Sequence, residues 1–342
     1  MHILIMNFNY IVMFLIVMFF IIIYVLCAFK LREGLALGLP YVKDSYERLG
    51  VVRDKDSKVM YYRDRCFDYS KGFNDRKAAD RANSKVISTS LLRNNSIPVA
   101  DSHVWSNKLS FENNVEKVST NLGYPVVVKP EYGHKGYGVT VGISNAKELT
   151  SAVQALLDKG KSVLVDKYLK GDEYRVMVYD GEIIGVTKRS KPKVIGDGKH
   201  NVKNLIRLFN EQQSNSFKCH NIDEHLINKQ GFLMNDVPVN GQVIIISNVA
   251  NMSNGGGIDN VDLAKIHPDN LAMFKRAAQV CNLKLTGIDF ITPSLLLPYY
   301  KMQGECGILE MNTGPGLGVH YYAQGDKKDK FIDDFIKRLF NY

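Results

Sequence analysis

The stretch GILEMNTGPGLGVH, residues 307–320, places two polar side chains, Glu310 and Asn312, at the end of an apolar run that then turns. In an extended strand, side chains two positions apart share a face. Glu310 and Asn312 therefore project together, whereas Leu309 and Met311 face the other way. This pattern predicts a strand that presents two oxygen ligands to one small volume.

A second apolar run repeats the arrangement. In LTGIDFITP, residues 285–293, Asp289 interrupts the run and shares its face with Gly287. A buried carboxylate is costly unless it is paired or holds a cation. Each acid alone could instead cap a strand end or pair with a local lysine. For either residue taken alone, a structural role and a cation-binding role therefore both stay open. Together, the oxygens of Asp289, Glu310 and Asn312, without His or Cys, favour a hard cation such as Mg2+.

The amino-terminal end has the composition of a membrane span. Residues 1–29 contain no Asp, Glu, Lys or Arg, and the run from Tyr10 to Phe29 is almost entirely apolar. At about 1.5 Å per residue it could cross a hydrocarbon core of about 30 Å. A cleavable signal peptide is the alternative, but its shorter apolar segment would follow positive charge, whereas Lys30 and Arg32 come after this run. We expect a single-pass membrane protein whose catalytic domain is cytosolic.

Composition narrows the function classes. The 342 residues are 45% hydrophobic, enough for a large core, and the formal net charge is +9. The basic residues are scattered, apart from the cluster at 187–193, and no nucleic-acid-binding motif is present, so we expect no specific nucleic-acid partner. The five cysteines are an odd number without CxxC spacing, which indicates neither a disulfide framework nor a zinc site.

The remaining chain mixes helical and strand patterns without regular alternation, which favours an α+β class over a doubly wound sheet. Asp180-Gly181 predicts the turn of a hairpin within residues 172–188. Asn145 and Glu148 form a capping-box pattern at the start of a helix. Helices are predicted over residues 79–95, 145–160, 201–213 and 267–282, and strands over 161–169 and 172–188.

The segment VVVKPEYGHKGYGVT, residues 126–140, is a strand, a glycine loop and a returning strand. Lys129 ends the first strand, and Gly133, Gly136 and Gly138 follow in the loop. Glycines let backbone N–H groups approach phosphates closely, and the lysine supplies a point charge. Because a plain tight turn would look the same, the segment alone does not establish a phosphate site. It is neither a Walker A motif nor a dinucleotide fingerprint.

The order of these motifs resembles the ATP-grasp superfamily, and within it the ATP-grasp domain of cyanophycin synthetases. The resemblance rests on GYPVVVKPEYGHKGYGVT, VDKYLKGDEYRVMV, VIGDGKHNVKNLI, NVANMSNGGGIDNVD, GIDFITP and ILEMNTGPGLGVH. It implies two α+β subdomains that clasp ATP. The expected organisation is a transmembrane anchor over residues 1–34, a linker or partial amino-terminal subdomain over 35–78, and an ATP-grasp domain over 79–342 with a lid subdomain at about 118–186.

The resemblance implies an ATP site. Lys85 and Lys129 would contact phosphates, with the loop from Gly133 through Gly136 to Gly138 as the covering lid. The hinge would hold adenosine: Lys167 and Leu169 would bracket adenine through backbone groups, and Glu173 would accept the ribose hydroxyls. Asp166 stands where a glutamate is more usual. These implied nucleotide-binding residues are Lys85, Lys129, Gly133, Gly136, Gly138, Asp166, Lys167, Leu169 and Glu173.

The resemblance also implies a metal centre and a reaction. Asp289, Glu310 and Asn312 would hold two Mg2+ ions, with Mn2+ as a substitute, and Arg175 and Asn312 would act in catalysis. The expected activity is that of an ATP-dependent carboxylate-amine ligase with an acyl-phosphate intermediate, acting on an amino acid or peptide. Three alternatives stay open: an inactive nucleotide-binding membrane scaffold, a kinase, and a carboxylate-thiol ligase. A homo-oligomer is also left open.

The sequence departs from the family pattern near the carboxyl-terminal end of the site. Gly318 stands where the family tends to have an arginine, which leaves His320 as the polar candidate there. In the NMSNGGG loop, residues 251–257, the resemblance implies oxyanion-type N–H groups from Ser253, Gly255 and Gly256 near the acyl acceptor. A flexible surface loop is the alternative.

Overall fold

The computed structural model of the chain describes most of the sequence from residue 74 onward. The described residues are 50–53, 59–63, 66–67, 74–133, 136–213, 217–327, 330–331, 334–335 and 338. The predicted transmembrane helix at Tyr10–Phe29 lies outside these residues, as does most of the segment 35–78. Within the described residues, no helix is both long and apolar enough to span a bilayer.

The bounds of the following α-helices and strands are given by the structure within the described residues. The helices are α1 (Arg76–Asn83), α2 (Lys85–Asn94), α3 (Phe111–Asn121), α4 (Ala146–Leu157), α5 (Val202–Gln212), α6 (Glu224–Lys229), α7 (Pro268–Val280) and α8 (Gly318–Ala323). The strands are β1 (Gly50–Arg53), β2 (Val59–Arg63), β3 (Cys66–Phe67), β4 (Ser102–Val104), β5 (Val126–Pro130), β6 (Thr140–Ile143), β7 (Val163–Lys167), β8 (Asp172–Tyr179), β9 (Glu182–Ser190), β10 (Lys193–Ile195), β11 (Val243–Ile245), β12 (Gly257–Val261), β13 (Leu285–Thr292) and β14 (Gly307–Asn312).

The largest sheet carries the acidic strands. Its five strands run in the order β12-β9-β8-β13-β14, and each neighbouring pair is antiparallel. The face away from the acids packs on α7 and on the first two helices, where the rings of Phe274 and Phe290 meet edge to face with centroids 5.1 Å apart. This buried face fixes the strand registers because a slip of one residue would bring polar side chains into the core.

The hairpin between β8 and β9 turns where the sequence predicts. Asp180 and Gly181 both have positive φ values, as a type I′ turn requires. A bulge lies between Met177 and Val178, so the register of the two strands shifts by one residue along the hairpin. The bulge decides which β9 side chain faces the functional residues of β8.

A four-stranded antiparallel sheet forms a second unit, with the order β4-β7-β5-β6. Its core contains Val118 of α3 and Leu149 and Val153 of α4. The predicted cap of α4 is present, because the Asn145 side chain accepts from Glu148 N–H. The glycine loop joins β5 to β6. We predicted a lid over about residues 118–186; β8 and most of β9, which fall in that range, pair in the five-stranded sheet.

A smaller unit follows β9. Strands β10 and β11 form a two-stranded sheet, and helices α5 and α6 pack on it around Val194, Ile206 and Ile244. The mixture of antiparallel sheets and helices confirms the predicted α+β class. One helix prediction was wrong in detail: residues 79–95 form two helices, not one. Ser84 is extended and its side chain caps α2 by accepting from Ile87 N–H.

Gly171, in the hinge between β7 and β8, has φ +148, and a Cβ there would lie 2.4 Å from the Thr292 carbonyl carbon and oxygen. We predict that Gly171→Ala lowers the free energy of unfolding by about 2–4 kcal/mol, since it adds a backbone clash to an unfavourable conformation. The control is Gly160→Ala, at φ +65 with no atom within 4 Å. It should cost only about 1–2 kcal/mol. Denaturant unfolding of both variants checks this, and equal losses would contradict it.

Candidate functional site

Strands β13 and β14 bring the three predicted metal ligands together. Asp289 pairs with Glu310 in the antiparallel register, and Gly287 pairs with Asn312. The Asn312 side-chain amide donates to the Gly287 carbonyl at 3.1 Å and to Asp289 Oδ2 at 3.3 Å. The two adjacent strands thus place two carboxylates and one carboxamide on a common face.

Asp289 is buried and is neutralised by two arginines. Arg175, its partner on β8, donates from Nε to Asp289 Oδ1 at 2.6 Å and from Nη2 to Oδ2 at 3.2 Å. Arg189 Nη2 lies 3.3 Å from the same Oδ2. Burial by itself would raise the pKa of Asp289, but Arg175 and Arg189 outweigh it and hold this pKa below its usual range. The carboxylate is therefore ionised at neutral pH.

Arg189 is central to the site although it is absent from the predicted residues. Its guanidinium pairs with Glu173 and with Asp289, and it donates to Asn251 Oδ1 at 3.2 Å. Counting along the hairpin from the Asp180-Gly181 turn without a bulge would place Lys188 opposite Glu173. The observed bulge shifts the register so that Arg189 faces Glu173.

Lys85 connects the glycine loop to the acidic strands. It begins α2 and is buried, and its Nζ lies 3.3 Å from Glu310 Oε1 and donates to the Gly133 carbonyl at 3.2 Å. On the other side of the loop, a Cβ at Gly136 would lie 3.0 Å from Val249 Cγ1. Gly133 and Gly136 therefore lie over the region between Glu310 and the segment that carries Asn251. Gly138 ends the loop beside Leu156 of α4.

Lys129 forms a separate buried ion pair on the four-stranded sheet. Its ammonium group contacts Asp166 Oδ2, and both side chains are over nine-tenths buried. Asp166 Oδ1 has no hydrogen-bond partner among the residues that the structure describes. A buried acceptor without a partner is costly, so a donor that reached this oxygen would be stabilising.

The predicted adenosine-binding hinge connects β7 to β8, immediately after Asp166. The backbone N–H of Lys167 donates to the Asp101 carbonyl at 2.8 Å, and that of Tyr168 donates to the Pro125 carbonyl at 3.1 Å. Leu169 is buried, and Glu173, the predicted ribose contact, pairs with Arg189. The hinge is thus anchored to both neighbouring strands.

The donor set suits a hard cation such as Mg2+, which in nucleotide sites is usually held by one or two carboxylates. In the part of the chain that the structure describes, no group of three or more His, Cys, Asp or Glu side chains could hold a metal. The predicted set instead combines two carboxylates with one amide oxygen, and such sites rely on phosphate and water for the remaining ligands. Asp289 and Glu310 each face a cationic side chain, which a bound metal ion would have to replace.

His320 lies beside the arginines on the same face of the sheet, because its partner Thr187 shares that face of β9 with Arg189. The ring is completely buried, its Nδ1 lies 3.0 Å from Thr187 Oγ1, and it stacks on Phe331. Burial, with smaller contributions from Arg175 and Arg189, lowers the pKa of His320 to about 3. The sequence left His320 as the polar candidate near this end of the site, and in the structure its fully buried, neutral ring packs against β9 next to the arginines.

The NMSNGGG loop also differs from expectation. Residues Met252–Asn254 form a 3-10 turn, in which Gly255 N–H donates to the Met252 carbonyl and Gly256 N–H to the Asn251 carbonyl. These two N–H groups are already used, so they do not form an oxyanion site. The contact that the loop makes with the site is the Asn251 side chain.

Comparisons with known proteins point to one group of ligases. Residues 91–225 match the family described as D-ala D-ala ligase C-terminus. The chain is 33% identical over 210 residues to a cyanophycin synthetase of Crocosphaera subtropica, covering 58% of this chain and 24% of that protein. It is 25% identical over 228 residues to a glutathione biosynthesis bifunctional protein of Streptococcus agalactiae, covering 63% and 30%. The chain thus spans about a quarter to a third of these relatives' length.

Solved structures share the fold. A bifunctional glutathione synthetase from Pasteurella multocida superposes with a TM-score of 0.52 at 21% identity, covering 83% of this chain and 39% of that one. A D-alanine–D-alanine ligase from Bacillus anthracis superposes with a TM-score of 0.50 at 16% identity, covering 78% and 70%. At these identities the likeness concerns the fold.

The ion pairs of Arg189 with Glu173 and Asp289 should contribute to the free energy of unfolding. Arg189→Met leaves Glu173 without its cation and leaves Asp289 with Arg175 alone, so we expect a loss of about 3 kcal/mol in the free energy of unfolding. The control is Lys188→Met on the same strand, whose pair with Asp172 is partly exposed. It should cost about 0–1 kcal/mol. Denaturant unfolding measures both values, and a loss for Arg189→Met as small as that of the control would contradict the role of this network.

Proposed function

Since the chain has the ATP-grasp fold, we propose that it is an ATP-dependent carboxylate-amine ligase that forms an amide or peptide bond. The observation that carries the proposal is the set of ionised groups on adjacent strands. Asp289 and Glu310 lie side by side, and Arg175, Arg189 and Lys85 surround them. The similarity to cyanophycin synthetase and D-alanine–D-alanine ligase supports the same class of reaction.

The nucleotide phosphates would lie between the glycine loop and β14. Lys85 already bridges the Gly133 carbonyl and Glu310, so a phosphate oxygen could replace either contact without moving the helix that carries the lysine. Lys129 would supply a second charge from the four-stranded sheet. Charge-assisted contacts of this kind are stronger than neutral hydrogen bonds. Gly136 and Gly138 let the loop approach closely.

Adenosine would bind along the hinge. Lys167 and Leu169 would contact adenine through their backbones, and the unpaired Asp166 Oδ1 is an acceptor for an exocyclic amine. Glu173 would exchange its contact with Arg189 for the ribose hydroxyls. These roles follow the resemblance, and the burial of Asp166 and Leu169 supports them.

The oxygen donors of Asp289, Glu310 and Asn312 fit Mg2+, with Mn2+ as a substitute. When bound, two such ions would offset the negative charge that accumulates on the transferring phosphoryl group. The chain's own residues hold the ligand geometry. The backbone pairing of β13 with β14 fixes the spacing of the two acids, and Asn312 Nδ2 positions Asp289 by donating to it.

The arginines would act on the charge that moves during the reaction. A substrate carboxylate oxygen attacks the γ-phosphorus of ATP, the bond to the β,γ-bridging oxygen breaks, and ADP leaves. Arg175 and Arg189 would then face the phosphoryl oxygens instead of Asp289. An amine that has lost its proton to solvent attacks the acyl carbon of the resulting acyl phosphate, and inorganic phosphate leaves. Positioning and electrostatics supply most of such a rate enhancement.

The test of the proposal uses Glu310→Gln, which conserves shape and removes one charge. We expect ATP-dependent phosphate release, measured over a panel of amino acids and short peptides, to fall about a hundredfold or more. Strand packing should be unaffected, because Met311 faces the buried side. Glu305→Gln, an exposed acid of the loop before β14, is the matched control and should retain full activity.

Two results would argue against the ligase. Equal turnover of Glu310→Gln and the unmodified chain at saturating Mg2+ would place the metal ions elsewhere. The absence of phosphate release from the unmodified chain with every substrate would favour a nucleotide-binding scaffold instead.

The segment 1–34 is proposed to anchor the enzyme in a membrane with the catalytic domain on the cytosolic side. The support is the uncharged run Tyr10–Phe29, followed by Lys30 and Arg32. The full-length chain should stay in the membrane fraction through a carbonate wash, whereas the chain without residues 1–34 should be recovered in the supernatant and still bind ATP. Release of the full-length chain by carbonate would contradict the anchor.

A further inference from the structure

A cavity of about 690 Å³ adjoins the site, and Gly255 and Gly256 of the predicted NMSNGGG loop lie in its wall. It lies between the end of β9, strand β10, helix α5 and the loop at residues 252–258, and Tyr322 of α8 closes one side. A volume of this size suits an amino acid derivative or a short peptide. The proposed reaction requires a carboxylate substrate, whose side chain needs a place next to the site.

The cavity is next to the charged network. Ile258, in its wall, pairs with Arg189 in the antiparallel register of β12 and β9, so these two side chains share one face of the sheet, and Met252, also in the wall, follows Asn251. Arg189 and Asn251 are themselves hydrogen-bonded to each other. A molecule in the cavity can therefore extend one end toward Arg189, which contacts Asp289.

The shape of the loop wall depends on close backbone packing. A Cβ at Gly256 would lie 2.9 Å from the Ala250 carbonyl carbon and from the Ser190 carbonyl oxygen. The loop consequently lies flat against the end of β9 and leaves the space beyond it open. The backbone path of this loop therefore creates the cavity.

The wall combines an apolar surface with positive charge. Leu208, Phe209, Phe217, Met252 and Tyr322 contribute the apolar part. Lys191 and Lys193 contribute two positive charges against the one negative charge of Asp197, and Lys191 Nζ donates to Asn248 Oδ1 at 2.8 Å. Aromatic and long aliphatic side chains stabilise a bound ligand mainly by removing its apolar surface from water.

We propose that this cavity holds the side chain of the carboxylate substrate, and that the substrate is an amino acid or peptide with a bulky apolar or aromatic side chain. The lysines attract the anionic substrate, and its carboxylate lies toward Arg189. This inference rests on the proposed ligase function. A small or strongly polar substrate side chain would leave the apolar wall facing water, so its burial would contribute little binding free energy.

The test measures binding of two probes that carry the same single charge, N-acetyl-L-phenylalanine and N-acetyl-L-glutamine, to the full chain by calorimetry with and without MgADP. The phenylalanine probe should bind about tenfold tighter or more, as expected for burial of an aromatic side chain. Equal binding, or tighter binding of the glutamine probe, would overturn the inference.

Substitutions at Leu208 test whether the phenylalanine probe binds in this cavity. Leu208→Trp fills the cavity and should weaken the phenylalanine probe by about tenfold or more. The matched control is Leu233→Trp at an exposed position outside the cavity, which should change the affinity by no more than about twofold. If Leu208→Trp fails to fold, Leu208→Gln keeps the volume, removes the apolar surface and should also weaken this probe. Unchanged affinity in a folded Leu208 variant would place the site elsewhere.

Phosphate release with the same probes separates this inference from the function on which it rests. Release stimulated by the glutamine probe and not by the phenylalanine probe would contradict the cavity assignment while supporting the ligase. Tight, Leu208-dependent binding of the phenylalanine probe without any ATP-dependent phosphate release would contradict the ligase while supporting the cavity assignment.

Discussion

The buried carboxylate of Asp289 is the constraint on which the rest of the site depends. A carboxylate without a partner at that depth would be too costly for a stable fold. Arg175 on β8 and Arg189 on β9 compensate it, and they can do so only if β8, β9 and β13 keep their observed registers. The same registers bury Phe290 on the opposite face. The charge on one face and the core on the other thus specify one arrangement of the strands.

The site is organised as a set of exchangeable ion pairs. Asp289 faces two arginines, Glu310 faces Lys85, Asp166 faces Lys129, and Glu173 faces Arg189. A nucleotide with its metal ions brings both signs of charge. The phosphates could therefore take over the lysines and arginines while the cations take over the carboxylates, so no group would lose its partner. The charged side chains of such a site would need little rearrangement when the ligand binds. Electrostatic catalysis depends on charged groups that are already in position.

Local patterns predicted much of this arrangement from the sequence. The two-residue spacing of Glu310 and Asn312, the Asp180-Gly181 turn and the cap at Asn145 each depend on neighbours in the chain, and each has the predicted form. Non-local features were missed. Arg189 enters the site because of a bulge that no sequence motif marks, and His320 is buried by contacts with Thr187 and Phe331. The cavity is formed by segments far apart in sequence, so it could not be recognised from any one of them.

We expect Asp289 to exchange its arginine partners for metal ions when nucleotide binds. Electron paramagnetic resonance of Mn2+ with a non-hydrolysable ATP analogue tests this exchange without relying on turnover. The chain should bind on the order of two Mn2+ ions tightly in the presence of the analogue. Asp289→Asn, shown to be folded by its melting temperature, should lose most of this binding. Nucleotide-dependent Mn2+ binding by Asp289→Asn with the same number of ions and the same affinity would contradict this exchange.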